Sequence, residues 1–212
     1  MIAAIVPVKR LAQGKSRLAG ALGRDGAEQL ALAMLEDVVA ALRGARGIDV
    51  VAVVTPDAAV ADAAGRAGAR ALLGPDPGLN PAIDRAAREL AADATLVVLG
   101  DVAGATSEDL GTLVAAIDGR PPIAAIAPSR DGGTAALARR PHAAFASRFG
   151  PDSANAHRAA ARAAGVPCGE HPLPSLALDL DDAGDLRAFL ATRHGGARTR
   201  ALLRALGVGA ER

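Results

Sequence analysis

The chain has no tryptophan and no tyrosine, and Phe145, Phe149 and Phe189 are its only phenylalanines. Single-stranded nucleic acids are held largely by bases stacking on aromatic side chains, so that mode of binding is nearly unavailable. Duplex binding is disfavoured for another reason. The formal net charge is only +1, whereas neutralising many phosphates calls for a strong basic excess. Cysteine is as scarce. Cys168 stands alone, which excludes an intramolecular disulfide and a cysteine-rich zinc site. A reducing cytoplasm is the expected location. No apolar stretch reaches the length of a membrane span, and the run Met1 to Val8 is short and has no basic region before it, so it reads as a first strand rather than a signal peptide.

Half of the 212 residues are hydrophobic, chiefly Ala, Val, Leu and Ile, which is enough for one domain with a sizeable core. Lysine is rare: Lys9 and Lys15 are the only two, and both lie in one loop after the first apolar run. The other basic residues are arginines. A compact ammonium suits phosphate oxygens differently from a planar guanidinium, so two lysines in one loop point to a polyphosphate ligand.

The spacing of apolar residues predicts alternating strands and helices. Ile2 to Val8 reads as a buried parallel strand, and Ala27 to Leu42 as a helix through Leu30, Met34, Leu35, Val38 and Leu42. Val50 to Val54 is a second strand and Ala58 to Ala67 a short helix. Asn80 as N-cap before Pro81 predicts a helix to Ala92. Leu96 to Leu99 is a third strand. Thr106 or Ser107 caps a helix to about Ile117, and Ile123 to Ala127 is the next strand. Asp131-Gly132-Gly133 forms a turn, Thr134 to Arg139 a strand and Asp152 to Ala164 a helix. A last strand is expected near Leu176 to Leu180, before a helix capped by Asp182 with Asp185 completing a capping box. Such alternation gives a parallel sheet covered on both faces, with ligands bound at the carboxyl ends of its strands.

The loop Lys9-Arg10-Leu11-Ala12-Gln13-Gly14-Lys15-Ser16-Arg17 sits at such an end. Its amides can form an anion nest, and Lys9, Lys15 and Arg17 can neutralise a triphosphate. The G-x-x-x-x-G-K-[ST] spacing of a P-loop is absent, which disfavours a Walker-type ATPase. Asp101 follows the third strand and is placed to bind magnesium, which is held by one or two carboxylates with substrate phosphates. Strand alternation would point Asp179 and Asp181 to one face, leaving Asp182 as an N-cap. His142, His157, His171 and His194 lack metal-ligand spacing and are expected to have surface or packing roles. The arginines from Arg193 to Arg204 read as solvated helix faces that offer a surface for a partner subunit, as in a homodimer.

Several motifs in order carry a resemblance: Val6-Pro7-Val8-Lys9 with Gly14-Lys15-Ser16-Arg17-Leu18, Gly78-Leu79-Asn80, Arg130-Asp131-Gly132-Gly133-Thr134, Arg148-Phe149-Gly150-Pro151-Asp152-Ser153, and Ala177-Leu178-Asp179-Leu180-Asp181. Over residues 1 to about 190, followed by a helical tail of about 191–212, the chain resembles the 2-phospho-L-lactate and phosphoenolpyruvate guanylyltransferases of coenzyme F-420 biosynthesis. The resemblance implies a single-domain α/β nucleotidyltransferase fold, Rossmann-like and similar to GT-A enzymes and molybdopterin guanylyltransferases. It also implies GTP and Mg²⁺, a small phosphorylated acid as acceptor, and pyrophosphate release. Carried over by motif, Lys9, Lys15, Arg17 and Asn80 would bind the nucleotide. Thr134, Gly150 and Ser153 would meet the acceptor, and Asp101 with Asp179 or Asp181 would hold the metal. Lys15, Arg17 and Asp101 would act in catalysis.

Two departures stand out. The family usually has Ala-Asp-Leu-Pro around the metal aspartate, and here the chain reads Gly100-Asp101-Val102-Ala103-Gly104. After Gly133-Thr134 the family usually has Asn or Thr, and here stands Ala135, which cannot donate from its side chain. These departures leave open 2-phospho-L-lactate, phosphoenolpyruvate or 3-phosphoglycerate as acceptor. The alternative reading is a nucleotide-binding domain without turnover.

Overall fold

The computed structural model describes residues 1–13 and 16–208. Its sheet has seven strands: β1 (Ile2–Pro7), β2 (Val50–Thr55), β3 (Arg70–Leu73), β4 (Ala94–Val98), β5 (Ile123–Pro128), β6 (Thr134–Arg140) and β7 (Cys168–Glu170), in the order β3-β2-β1-β4-β6-β5-β7. Only β6 is antiparallel to its neighbours. Among the described residues there are seven α-helices: α1 (Ser16–Gly44), α2 (Ala58–Arg66), α3 (Leu79–Glu89), α4 (Ser107–Ala116), α5 (Ser153–Ala163), α6 (Ala183–Ala191) and α7 (Ala197–Ala205). This is the single α/β layer architecture that the alternation predicts.

The core has three parts. β1 and β4 are buried on both faces, as central parallel strands must be. One face packs against Leu35, Val38 and Leu42 of α1 and Leu110, Leu113 and Val114 of α4, and the other against Ile83, Ala86 and Ala87 of α3 and Ala154 and Ala161 of α5. A third cluster joins Leu18, Leu30 and Met34 of α1 to Leu186 and Phe189 of α6, Leu203 of α7, and Leu180. The C-terminal helices are thus tied to the body by apolar burial.

Local signals set most boundaries. Asp57 caps α2 by accepting the Ala59 amide, Thr106 caps α4, and Asp182 with Asp185 forms the expected capping box on α6. The structure departs from the sequence reading at four points. The first helix extends back to Ser16, broken at Gly23, whose φ of 72° only glycine adopts readily. Gly78, not Asn80, caps α3, and Asn80 lies inside the first turn. β3 and β7 went unforeseen, because β3 is an edge strand with only Leu72 buried and β7 has three residues. The strand expected at Leu176 to Leu180 is absent: Leu176 and Leu180 are buried in different apolar clusters. The backbone there bonds to separate segments, with the Arg130 amide donating to Ala177 and the Leu180 amide to the Asp101 carbonyl, so no ladder forms.

Candidate active site

At the carboxyl ends of β1 and β4 lies a cleft of about 310 Å³, lined by Lys9, Arg10, Leu11, Gly100, Asp101 and Asp181, with Ala31 and Met34 of α1 also in its wall. Gly100 permits the closeness of its two sides, since a side chain there would sit 3.1 Å from Val8 Cγ2. Pro7, Val8, Lys9 and Leu79 also border a smaller hollow made by Thr55, Pro56, Asp76 and Gly78. The two hollows together follow the strand ends where a doubly wound sheet binds its ligand. Lys15 lies outside the described residues. Arg17 is exposed at the start of α1, near enough for its charge to act on Asp182.

The hydrogen bond from the Leu180 amide to the Asp101 carbonyl (3.3 Å) sets the 179–181 segment against the loop after β4. Asp181 then lines the cleft with Asp101. Burial, and next the Asp101 charge, push the Asp179 carboxyl up to about 6, with smaller repulsions from Asp131 and Asp181. Asp101 and Asp179 therefore lie near enough for their charges to interact, and the 179–181 segment that carries Asp179 and Asp181 is set by loop contacts and not by the strand alternation that the sequence suggested for those two residues. Among the described residues no three His, Cys, Asp or Glu side chains form a ready metal cage. Without the family's proline, the loop after Asp101 is fixed by packing: Val102, Ala103 and Ala105 are buried, and a side chain at Gly104 would meet the Ser175 carbonyl at 2.8 Å.

Thr134, Gly150 and Ser153 gather at the start of α5. The Ser153 and Ala154 amides donate to the carbonyls of Gly150 (3.1 Å) and Gly132 (3.2 Å). Thr134 is the first residue of the antiparallel β6, so it lies at the crevice end of the sheet. A bulge between the pairs Ala127↔Ala136 and Pro128↔Thr134 leaves Ala135 as the extra residue and turns the Thr134 side chain toward α5. Ala135 is itself buried in the apolar cluster that includes α1 and α4, and Thr134 and Ser153 are as buried as it is.

Two residues in this region make hydrogen bonds that the sequence reading did not give them. His157, expected at the surface or in packing, is wholly buried, with Nδ1 2.9 Å from Thr134 Oγ1 and Nε2 accepting the Arg148 amide at 2.9 Å. Its spacing of four residues from Ser153, which puts both on one helix face, was the available signal. Asn80, assigned to the nucleotide by motif, grips the backbone of Phe149, donating from Nδ2 to its carbonyl (3.0 Å) and accepting its amide on Oδ1 (2.7 Å). A contact across 69 residues leaves no local pattern to read.

A larger, more open hollow of about 790 Å³ lies beside α7, lined by Arg193, Arg198, Arg200 and Arg204. Part of its lining is already engaged. Asp37 accepts the Arg198 and Thr199 amides, and Arg200 stacks on Phe189 at 4.1 Å while bonding to the Phe189 and Gly195 carbonyls. Arg200 is therefore a structural clamp and not part of a solvated face.

Comparison with known proteins agrees with this geometry. The family model described as "Guanylyl transferase CofC like" matches residues 2–212. A curated relative from Sphaerobacter thermophilus, named phosphoenolpyruvate guanylyltransferase, is 43% identical over 188 residues, covering 86% of this chain and 89% of its own. Another of that name, from Conexibacter woesei, is 39% identical over 216 residues and covers 96% and 95%. Among solved structures, a nucleotidyl transferase from Methanothermobacter thermautotroptrophicus superposes with a TM-score of 0.66 at 18% identity, over 97% of this chain and 99% of that one, which shows a shared fold. This chain belongs to the CofC-like guanylyl transferase family and is a nucleotidyltransferase.

Proposed function

We propose that the protein transfers GMP from GTP to the phosphate of a small phosphorylated carboxylic acid, releasing pyrophosphate, as a step of coenzyme F-420 biosynthesis. Phosphoenolpyruvate is the favoured acceptor, following the names of the curated relatives, with 2-phospho-L-lactate and 3-phosphoglycerate as the other members of the class. One observation carries the reading: Lys9, Arg10, Asp101 and Asp181 line a single cleft, with Asp179 beside Asp101. Cationic groups for a triphosphate and carboxylates for its metal ion thus face one volume. The nucleoside would extend into the adjoining hollow at Thr55, Pro56 and Gly78, beside Asn80.

An oxygen of the acceptor phosphate attacks the α-phosphorus in line. Its new bond to phosphorus forms as the bond to the bridging oxygen of pyrophosphate breaks, and an ionised phosphate needs no proton removed. Transfers of this kind depend on positioning and charge neutralisation more than on covalent help. Lys9 and Arg10, with Lys15 of the same loop and Arg17 at the start of α1, would hold and neutralise the phosphates. The raised Asp179 carboxyl beside Asp101 fits a cation, since a positive charge between them relieves their repulsion. Mg²⁺ held by Asp101 with Asp179 or Asp181 would supply charge neutralisation and polarisation of the phosphoryl oxygens. Thr134, Gly150 and Ser153 would receive the acceptor's anionic groups. A cytoplasmic setting, where both substrates occur, suits this chemistry.

Pyrophosphate release from GTP, measured with and without Mg²⁺ on each of the three acids, tests the proposal. Release that requires both acid and Mg²⁺, and is greatest with phosphoenolpyruvate, is expected. GTP binding without release on any acid would instead support the non-catalytic reading.

A further inference from the structure

Asp57 accepts hydrogen bonds from two directions. One carboxylate oxygen takes the Ala59 amide at 3.0 Å and so caps α2, and the other takes the Leu11 amide at 3.0 Å, from a residue 46 positions earlier in the chain. The cap is local chemistry. The second bond reaches the first residue of the short 3-10 turn Leu11–Gln13, whose amide is one of the donors that a helical start leaves without a partner. Three residues before it, the Val8 amide donates to the Val54 carbonyl at 3.0 Å and extends the pairing of β1 with β2 by one bond. The chain is thus pinned to the end of β2 at Val8 and again at Leu11, and the two residues between the pins are Lys9 and Arg10. Both are exposed, so burial does not decide where their charges lie, yet both line the cleft of about 310 Å³. Asp57 itself lines neither the cleft nor the smaller hollow beside it. Its own place is fixed in turn: its amide donates to Thr55 Oγ1 at 3.1 Å, and the Thr55 carbonyl accepts the Gly74 amide at 3.1 Å.

We propose that Asp57 is a positioning residue for the nucleotide: by holding the Leu11 amide it fixes the Lys9–Arg10 backbone at the cleft, so that the two charges are in place before the triphosphate arrives. The inference rests on the placement of the nucleotide phosphates in this cleft given above. Holding the loop matters because exposed residues with long side chains have many conformations, and apparent affinity falls with the fraction of time that the competent one is occupied. A carboxylate suits the task better than an amide or a hydroxyl. Its two oxygens accept two amides at once, whereas Asn has one accepting oxygen and Ser is too short for the second amide. Because each oxygen already receives an N–H, the negative charge of Asp57 is directed to the backbone and not to the cleft.

Asp57→Ser tests it, since serine caps a helix about as well as aspartate but has no second oxygen for Leu11. Amide hydrogen exchange of the ligand-free protein reads the loop directly: the Leu11 amide should exchange about tenfold faster in the variant, while the amides of β1 keep their protection. Steady-state kinetics with GTP and phosphoenolpyruvate varied in turn reads the consequence. The KM for GTP should rise about tenfold, with kcat and the KM for phosphoenolpyruvate within about twofold of wild type. Asp57→Ala loses the cap as well, so it should melt lower than Asp57→Ser yet show the same KM for GTP, because the cap serves stability and the Leu11 bond serves the loop. Unchanged exchange at Leu11, equal rises in both KM values, or a KM for GTP that worsens from serine to alanine as the melting temperature falls would each overturn the proposal. If Asp57→Ala does not fold, exchange and the two KM values of Asp57→Ser still decide. Faster exchange at Leu11 with an unchanged KM for GTP would leave the nucleotide in the cleft and remove only the role of Asp57. Wild-type protein that neither binds GTP by calorimetry nor turns it over would take the nucleotide out of the cleft and this inference with it.

Discussion

Asp101 carries two separable functions, one in its backbone and one in its side chain. The carbonyl receives the Leu180 amide and so places the 179–181 segment, while the side chain belongs to the cleft and acts on Asp179. Asp101→Asn preserves the first and removes the charge of the second. We expect a properly folded variant whose Mg²⁺-dependent pyrophosphate release falls by about 100-fold or more, because a neutral amide is a poor ligand for a hard cation. A Mg²⁺ titration of turnover beside a thermal melt checks both halves. An unaltered metal dependence would remove Asp101 from the site. Ala135 shows a local backbone effect at the same scale: as the extra residue of a bulge it is buried among apolar side chains.

Helix α5 brings Ser153 and His157 to one face, and the buried imidazole makes its packing sensitive to acid. The folded pKa of His157 is depressed to about 4, against about 6.5 for a free histidine, with burial the main cause and the Arg139 charge next. Between those values the unfolded chain binds a proton that the folded chain refuses, so the His157 contribution to stability is lost as the pH drops through that window. That loss is on the order of 3 kcal/mol between pH 6.5 and 4. Asp179, its carboxyl raised to about 6 by burial and the Asp101 charge, takes up a proton in the folded state over the same window and opposes it. Comparing urea midpoints of wild type and His157→Gln at neutral pH and near pH 4 isolates the histidine, and the variant should gain on the wild type as the pH falls. An equal change in both proteins would assign the acid sensitivity to other groups.

For the whole molecule, the cleft lies where α1, the loop after β4 and the 179–181 segment meet, so a ligand there links parts that are far apart in the chain. GTP with Mg²⁺ should therefore stabilise the entire domain and not just the loop that touches it. At about 100 times the dissociation constant the gain is about 2.7 kcal/mol, or roughly 5–10 °C in melting temperature for a chain of this size. Differential scanning fluorimetry with GTP, GTP plus Mg²⁺, and GTP plus chelator measures it. A shift that ignores the chelator would argue against metal-assisted binding. Stabilisation by CTP equal to that by GTP would argue against the choice of base.

The sequence by itself determined the layered α/β architecture, because short continuous apolar runs such as Ile2 to Val8 and Leu96 to Leu99, alternating with helical patterns, read as strands covered on both faces. It also located the basic loop and Asp101 at strand ends, since the order of elements decides where a parallel sheet opens. Caps at Thr106 and Asp182 were legible because their partners lie two or three residues away. The tertiary structure alone decided the rest. β3 and β7 bury too little to leave a pattern, and the 176–181 segment takes its shape from two separate clusters and two separate hydrogen bonds. The bulge at Ala135, the grip of Asn80 on Phe149 and the bridge from Thr134 through His157 to Arg148 depend on groups that only folding brings within hydrogen-bonding distance. Short-range chemistry is written along the chain, whereas these contacts are set by how the crevice closes around its own backbone.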